Sequence, residues 1–414
     1  MPHPPSSSEQ SRDHADHGEK PPAKAFSFLR EELRRVWCDI RGGDLSPARI
    51  AVSVGLGAFI GCLPLYGLHL PIVLLLCLRL RLDGALCYLA ANISNPLLAP
   101  FLFTAEVQLG AYVLLGEVPP LSNRVELWEA LKSFPKFLLV GAPLVGLIAA
   151  AVLGPLAWAI TVAKRRIFGV GVAPRYVLPA SAPAWVVAVE HVARRYVPPS
   201  DASPSAKAQF NYVRIKLLMD PIAKLIADIE GNGDGALGEI CDIGTGRGQL
   251  PILLVELGRA SKASGFDWDE KKVADGQRAA KVAPALPIEL WQSDARAALV
   301  ATADTVMLID LLHYFTIEEQ DAILKRAAAA VRPGGRLLVR EADTERGWRS
   351  TTTWLEEKVF TFLRFNRGER VKFRAATEIT ALLEAAGLVV EVRPAWDKTP
   401  FSNVLFVARR GAQA

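Results

Sequence analysis

Three glycines at alternate positions carry the strongest chemical signal in the sequence. A short apolar strand, Glu239 to Ile243, runs into Gly244, Gly246 and Gly248, and an apolar helix follows. Glycine lets the backbone turn sharply and approach a ligand without a clash at Cβ. The N-terminus of the following helix favours an anionic group. The pattern therefore predicts a ligand-binding loop.

The spacing of these glycines indicates the kind of ligand. A dinucleotide-binding loop has the pattern G-x-G-x-x-G, but Gln249 stands where its third glycine would be. Asp242 comes just before the loop, and a carboxylate there repels a pyrophosphate but attracts an α-amino group. The loop therefore favours a ligand with an amino-acid end over a diphosphate.

Acidic residues at the ends of the next two strands extend this site. Asp267 ends the second strand, 19 residues beyond Gly248, where an acid can accept hydrogen bonds from both hydroxyls of a ribose. A third strand, Ile288 to Trp291, leads to Asp294, which suits the exocyclic amine of an adenine. The three acids together predict a site for an amino-acid nucleoside.

Candidate catalytic residues follow the fourth strand, Thr305 to Ile309. Asp310 and His313 lie there, where substrates meet cofactors in open α/β sheets. Histidine titrates near neutrality, so His313 is a candidate base; the alternative is a histidine that packs or caps a helix. Glu341 ends the fifth strand and is a second candidate, unless it is a solvated carboxylate or pairs with an arginine.

Strands and helices alternate from residue 239 to 393, which predicts a parallel sheet with helices on both faces. Pro333-Gly334-Gly335 opens the fifth strand, Arg336 to Glu341, and two strands, Leu388 to Arg393 and Asn403 to Ala408, close the chain.

The ordered set of glycine loop, Asp267, Asp294 and Pro-Gly-Gly resembles the class I S-adenosylmethionine-dependent methyltransferases over about residues 206–410. The resemblance implies an α/β Rossmann-like seven-stranded methyltransferase domain over 206–414, with its last strand antiparallel and S-adenosyl-L-methionine as cofactor. It also implies that Asp242 and Gly244–Gly248 flank the methionine moiety, Asp267 holds the ribose and Asp294 meets the adenine. The alternative is a doubly wound domain without this ligand.

Residues 346–374 interleave aromatic side chains with arginines. The aromatic members are Trp348, Trp354, Phe360, Phe362, Phe365 and Phe373, and the arginines are Arg346, Arg349, Arg364, Arg367, Arg370 and Arg374. An insert here commonly covers the acceptor in the family that the chain resembles. The composition favours a lid for an apolar acceptor or a helix at a membrane interface. Such interleaving can also stack bases, but nine basic and six acidic residues over 340–374 give only +3.

The N-terminal half is strongly apolar, and we predict a helical membrane domain over 46–166. Residues 51–78, 84–105 and 137–163 contain no Asp, Glu, Lys or Arg. As one helix, the first run would extend about 42 Å, beyond the ~30 Å hydrocarbon core. Glycines and prolines interrupt it, which predicts a hairpin of two short halves. The second run breaks at Asn95-Pro96, which indicates packing or, alternatively, a lipid or substrate path.

Residues 46–116 resemble a bacterial membrane domain family of unknown function. The resemblance rests on Ser46-Pro47, the glycine-rich segment 54–61, the Leu63–Gly67 element and Ile93-Ser94-Asn95-Pro96-Leu97. No activity of its own is implied.

Basic residues predict the orientation of this domain. Arg41, Arg49, the Arg79/Arg81 turn and the cluster 164–166 favour the cytoplasm. The prediction is a multi-pass protein of the bacterial inner membrane with a cytoplasmic methyltransferase domain, because S-adenosylmethionine is a cytosolic metabolite. Three simple membrane spans would instead place the methyltransferase domain on the outer side of the membrane.

The remaining segments are predicted as connections. Residues 1–24 have the composition of a disordered tail, and 25–45 form an amphipathic interfacial helix or a short packed helix. Residues 167–205 form a linker around an amphipathic helix, Trp185 to Tyr196, and 206–229 form a further helix.

The five cysteines form no CxxC pair, so neither a disulfide framework nor a metal site is predicted.

These features predict a membrane-anchored methyltransferase that acts on a lipophilic small molecule at oxygen or carbon. The segment Asp310-Leu311-Leu312-His313 replaces the Asn/Asp-Pro-Pro-Tyr/Phe motif of many amino-group methylators. The expected partners are the lipid bilayer and the lipophilic acceptor. The net charge of +5 does not favour a nucleic acid. The alternatives are a tethered RNA or protein methyltransferase and a non-catalytic membrane protein that binds S-adenosylmethionine.

Overall fold

The computed structural model describes most of the chain. The described residues are 45–65, 68–94, 98–117, 124–168, 178–197, 203–229, 236–347, 349–351, 372–396 and 401–412, with Arg34 and Thr353. The predicted tail 1–24, most of the predicted helix 25–45 and the Asn95-Pro96 break lie outside them. So do most of the aromatic and arginine residues of the 346–374 insert.

The described part of the N-terminal half is helical. It contains α1 (Pro47–Cys62), α2 (His69–Leu80), α3 (Gly84–Ala91), α4 (Ala99–Leu115) and α5 (Arg124–Phe168). The predicted pair of short helices within 51–78 is confirmed as α1 and α2. The charge-free run 137–163 lies within the longer α5, because charged residues at its ends do not stop α-helical hydrogen bonding.

Part of this helical domain has the length and composition of a membrane span. The segment Pro135–Ile167 is long and apolar enough to cross a membrane by itself. Gly84–Ser94 and Ala99–Leu115 would together form a second span, with a bend of 76° between them, if the pair is counted as one. The large apolar side chains exposed on α4 and α5 include Phe101, Tyr112, Val113, Leu139, Ile148, Val152 and Ile160. The multi-pass arrangement stays a prediction.

The C-terminal half alternates helices and strands. Its elements are α6 (Ala184–Arg195), α7 (Pro204–Met219), α8 (Pro221–Ala227), β1 (Glu239–Ile243), α9 (Gln249–Glu256), β2 (Lys262–Asp267), α10 (Glu270–Lys281), β3 (Ile288–Gln292), β4 (Ala303–Ile309), α11 (Ile317–Ala330), β5 (Val331–Ala342), α12 (Ala376–Ala385), β6 (Leu388–Pro394) and β7 (Asn403–Arg410).

Within the described residues, the strands form one seven-stranded sheet in the order β3-β2-β1-β4-β5-β7-β6. β7 runs antiparallel between β5 and β6, while β1 to β5 pair in parallel. The predicted Rossmann-like sheet with an antiparallel last strand is therefore confirmed. The order reverses between β1 and β4, and ligands bind at such a switch point, beyond the carboxyl ends of the strands.

Side chains alternate between the two faces of this sheet and bury both. On β4, Val306 and Leu308 pack towards α11 and α12, while Met307 packs towards α8 on the other face. A strand has a side-chain period of two, so strands covered on both faces are apolar throughout. Each such side chain contributes about 1.5–3 kcal/mol when fully buried, and together they hold the carboxyl edge rigid.

The two helical segments that precede the sheet compare differently with their sequence predictions. The predicted helix over 206–229 is divided at Asp220, because Pro221 has no N–H to continue the helix, and the Asp220 side chain caps α8 by accepting from Ile222 N at 3.1 Å. The predicted amphipathic helix from Trp185 to Tyr196 is confirmed as α6, in which Val189 and Val192 are fully buried against α7 and α9.

Candidate active site

The carboxyl ends of β1 and β4 bring the glycine loop next to the candidate catalytic segment. A Cβ atom placed on Gly244 would lie 2.8 Å from Leu311 Cδ1. Residues more than 60 positions apart in sequence are therefore in contact across the switch point, and a ligand on the loop lies beside the turn after β4.

All three glycines of the loop have positive φ angles: 79° at Gly244, 57° at Gly246 and 70° at Gly248. The loop is fixed to β2, because Gly244 N and Thr245 N both donate to Phe266 O, at 2.9 and 3.0 Å. Nothing lies within 4 Å of the Cβ position of Gly246, so this residue presents bare backbone to open space.

Asp267 is tied directly to this loop. Its Oδ2 accepts a hydrogen bond from Gly246 N at 2.9 Å, and its Oδ1 accepts one from Asp269 N at 2.9 Å. The residue is 7% exposed. A carboxylate offers about four lone-pair positions, so each oxygen can accept one further hydrogen bond. The geometry suits two neighbouring hydroxyls.

Asp242 is buried under the loop, with 3% of its surface exposed. Burial raises the pKa of Asp242 to about 7, and the nearby Asp267 carboxylate raises it as well. A cationic group placed against Asp242 would offset both effects. Binding of a positively charged ligand group beside Asp242 would therefore favour the ionised form of its carboxyl group.

Asp294 lies at the carboxyl edge of β3, but its side chain is engaged locally. Both carboxylate oxygens pair with the Arg296 guanidinium, at 2.6 to 3.1 Å, and the pKa of Asp294 is lowered by that contact. The side chain is 42% exposed. An adenine amine could donate a hydrogen bond to Asp294 here only if Arg296 gave up some or all of its contacts with that carboxylate.

Asp310 forms part of a charged group beside the loop. Its φ angle is +55°, a left-handed conformation that costs a non-glycine residue roughly 1–2 kcal/mol. Arg340 contacts both Asp310, at 3.1 Å, and Asp220, at 2.5 Å. Burial raises the pKa of Asp310 to about 6, against the opposing effect of Arg340, although 40% of the side chain is exposed.

His313 and Glu341, both named as candidates from the sequence, form a buried pair. His313 Nδ1 lies 2.7 Å from Glu341 Oε2, and the side chains are 4% and 5% exposed. The other oxygen, Oε1, accepts from Leu311 N at 3.0 Å and Leu312 N at 2.6 Å. Glu341 therefore fixes both the turn after β4 and the orientation of the imidazole.

The far end of the same edge contacts the helical domain. Phe401, just before β7, packs on the apolar cluster that contains Ile60 and Val73. Arg349 donates to Phe401 O at 3.3 Å, and the guanidinium groups of Arg346 and Arg349 lie 5.4 and 5.3 Å from the ring centre of Trp396. The edge that carries His313 therefore adjoins an apolar domain.

Residues of α6 and α7 that sequence reasoning missed also touch the glycine loop. Tyr196 donates its hydroxyl to Arg247 O at 2.7 Å, and Arg247 donates to Gln209 Oε1 at 3.3 Å. The Arg247 guanidinium lies 5.8 Å from the ring centre of Tyr212. No sequence spacing signals these contacts, because they join positions far apart in the chain.

Family models match both halves of the chain. Residues 31–167 match a family described as "Uncharacterized protein conserved in bacteria" (DUF2062), and residues 210–392 match the family described as "Methyltransferase domain". No curated protein matches the sequence.

Solved structures that resemble the chain include two methyltransferases. An O-methyltransferase family protein from Burkholderia thailandensis is 17% identical, with 66% of this chain and 89% of that one covered and a TM-score of 0.40. Magnesium protoporphyrin IX methyltransferase from Synechocystis PCC 6803 with bound SAH is 19% identical, with 53% and 93% covered and a TM-score of 0.36. The fold assignment rests on the sheet order described above.

Proposed function

We propose that the chain is anchored in a membrane and that its C-terminal half, which matches a methyltransferase domain family, transfers a methyl group from S-adenosylmethionine to oxygen or carbon of a lipophilic small molecule. The cofactor supplies an electrophilic methyl group on a sulfonium. The protein's part is to hold that group in line with an acceptor atom and to remove a proton where the acceptor is a hydroxyl.

The described residues fit this cofactor. Gly246 gives open backbone, Asp267 has acceptor capacity for two ribose hydroxyls, and buried Asp242 favours an ammonium group. These features together suit the amino-acid and ribose parts of the cofactor. Asp294 stays a proposal for the adenine end.

Cofactor affinity should rise with pH through about 7. Unliganded Asp242 is protonated below its pKa of about 7, and an ammonium group on the ligand requires the ionised form. By linkage, S-adenosylhomocysteine should therefore bind about eightfold more weakly at pH 6 than at pH 7.5. Calorimetric titration at the two pH values measures this difference.

Asp242→Asn is the control for that titration. An amide has no proton to lose in this range, so the variant should bind weakly and equally at both pH values. A wild-type affinity that is flat or falls between pH 6 and 7.5 would count against an ammonium group beside Asp242.

Gly246→Ala should weaken S-adenosylhomocysteine binding roughly tenfold or more, while Gly387→Ala should not. Both glycines have positive φ angles, 57° and 81°, and nothing lies within 4 Å of either Cβ position. Each substitution should therefore cost a similar ~1–2 kcal/mol of folding stability, but only the first places a methyl group in the cofactor's path. Thermal unfolding and calorimetry on both variants compare the two effects. Equal affinities would mean that no ligand approaches Gly246.

His313 is the proposed general base for a hydroxyl acceptor. Glu341 holds Nδ1 at 2.7 Å, and a carboxylate there orients the imidazole and stabilises the imidazolium that forms when the ring takes a proton. Asp310, whose pKa burial raises to about 6, is a further carboxylate at the same edge of the sheet. For a carbon acceptor, the same His313–Glu341 pair would remove the proton from the acceptor.

The contact of Phe401 with the helical domain is the observation that supports a lipophilic acceptor. Phe401 lies at the carboxyl edge of the sheet, since Asn403 pairs with Ala342 at the end of β5, and it packs on buried apolar residues of α1 and α2. The helical domain, whose α4 and α5 expose large apolar side chains, therefore adjoins that edge. A lipophilic molecule suits these surroundings better than a charged polymer does.

Exposed apolar side chains on α4 and α5 support the membrane anchor. The Pro135–Ile167 stretch is 28% buried over its most apolar window, whereas the core helix of a soluble protein is mostly buried. Burying this surface in lipid removes it from water. The cytoplasmic placement of the enzyme domain remains part of the proposal.

Transfer of labelled methyl groups tests the acceptor. The full-length protein in detergent is incubated with methyl-labelled S-adenosylmethionine and a bacterial lipid extract, with total RNA and protein in parallel reactions. We expect label in an organic-soluble product. Label in RNA or protein would support a tethered macromolecular methyltransferase instead, and cofactor binding with no transfer to any fraction would support a sensor.

A further inference from the structure

Helix α7 is buried on almost every side, which is unusual for a helix at the margin of a domain. Among its described side chains only Ser205 and Lys216 are exposed, and Val213 and Arg214 are 0% and 2% exposed. A helix without a solvated face has a packing partner in every direction. For α7 these partners belong to three different parts of the molecule.

One face of α7 holds the glycine loop. Gln209 and Tyr212 are three positions apart and so share a face, and both contact the Arg247 side chain. Arg247 is the residue between Gly246 and Gly248, and its guanidinium also faces Asp275 of α10 at 3.5 Å. The middle of the loop is therefore positioned by α7 from one side and by α10 from the other.

A second face of α7 meets the helical domain. Asn211 Nδ2 lies 3.4 Å from Asp83 Oδ2, and the two side chains are 3% and 4% exposed. Asp83 also caps α3 by accepting from Leu86 N at 2.8 Å. A buried polar contact between two domains fixes their register, because each partner loses its hydration when the domains meet.

Arg214, three positions after Asn211 and so on the same side of α7, joins α7 to α6 through a buried ion pair, Nε to Glu190 Oε2, at 3.2 Å. Side chains of α6 reach the same loop, since Tyr196 donates to Arg247 O at 2.7 Å. The two helices are therefore joined by a buried ion pair as well as by apolar packing. A displacement of α7 at Asn211 reaches Arg247 through two sets of contacts.

We propose that α7 is a strut through which the helical domain sets the conformation of the cofactor loop, with Asn211 and Arg247 as positioning residues. The inference rests on the proposed function, since it requires that the loop binds the cofactor. Its consequence is that cofactor affinity depends on how the helical domain is seated. A membrane that shifts α3 would then alter affinity at a site it does not touch.

Asn211→Asp tests the strut, because it places a second buried carboxylate against Asp83. At an alkaline pH, where both carboxylates are ionised rather than sharing a proton, like charges at this distance repel, so the domains should separate locally and α7 should shift. We expect the Kd for S-adenosylhomocysteine, measured by calorimetry on the full-length protein in detergent, to rise about 5- to 20-fold, within the usual range of coupling between sites. Lys216→Asp, at an exposed position of the same helix, should leave the Kd unchanged.

The exchanged pair provides the rescue. Asp83→Asn with Asn211→Asp restores an amide-to-carboxylate contact in reverse, and asparagine still caps α3. The double variant should bind within about twofold of the wild type. Unchanged affinity in Asn211→Asp, or a loss that the exchange does not restore, would overturn the proposal. A wild-type protein that binds no S-adenosylhomocysteine would instead refute the proposed function.

Discussion

Asp267→Ala is expected to weaken binding of S-adenosylhomocysteine by about 10²- to 10⁴-fold, the largest loss that a single cofactor-site substitution should give. Hydrogen bonds to a charged group contribute roughly 1.5–3 kcal/mol each, and two ribose hydroxyls would lose theirs. The same change removes the acceptor for Gly246 N, now bonded at 2.9 Å, so the loop would lose its fixed shape as well. Calorimetry on the full-length variant measures the effect.

Asp304→Ala is the matched control. Asp304 Oδ2 also accepts a backbone N–H, that of Glu239, at 2.8 Å, but at the amino edge of the sheet, opposite the proposed site. Both substitutions should lower the thermal midpoint by a similar amount, and only Asp267→Ala should abolish binding. Comparable affinities for the two variants would remove Asp267 from the cofactor site.

His313→Gln is expected to lower the rate of methyl transfer about 10²- to 10⁴-fold, the usual contribution of a positioned general base. The assay is the transfer of label from S-adenosylmethionine into the organic-soluble product. The imidazole is replaced by a group that can still meet Glu341 but cannot take a proton. The Kd for S-adenosylhomocysteine should stay within about twofold, since the loop and Asp267 are untouched.

Glu341→Gln separates the two roles of the buried pair. An amide oxygen can still accept from Leu311 N or Leu312 N, so the turn should persist, but it gives less support to an imidazolium. We therefore expect an intermediate loss of rate and a small change in thermal midpoint. If His313→Gln unfolds at a lower temperature but transfers methyl groups at the wild-type rate, His313 is a packing residue.

Local sequence patterns predicted the first strand and the glycine loop that follows it. β1 occupies the predicted residues, and the three glycines all need φ angles that other residues rarely adopt. Asp267 ends β2 as predicted, and it also accepts a hydrogen bond from the loop. Such features are predictable because strand, turn and helix follow one another within about 30 residues, so the chemistry of each residue type is tied to its position.

Contacts between distant segments were not predictable in this way. The sequence identified His313 and Glu341 separately, but their pairing depends on the alignment of β4 with β5. Contacts from Tyr196 and Gln209 to Arg247 depend on how α6 and α7 pack. A single sequence carries no signal for that packing, and the segment around Tyr196 was therefore assigned to a linker.

The preference of the glycine loop for an amino-acid nucleoside over a diphosphate is the central claim, and competitive calorimetry tests it most directly. The full-length protein in detergent is titrated at pH 7.5 with S-adenosylhomocysteine and, separately, with NADH. The account predicts saturable one-to-one binding of S-adenosylhomocysteine and no heat of binding from NADH. Tight uptake of NADH with no response to S-adenosylhomocysteine would contradict it.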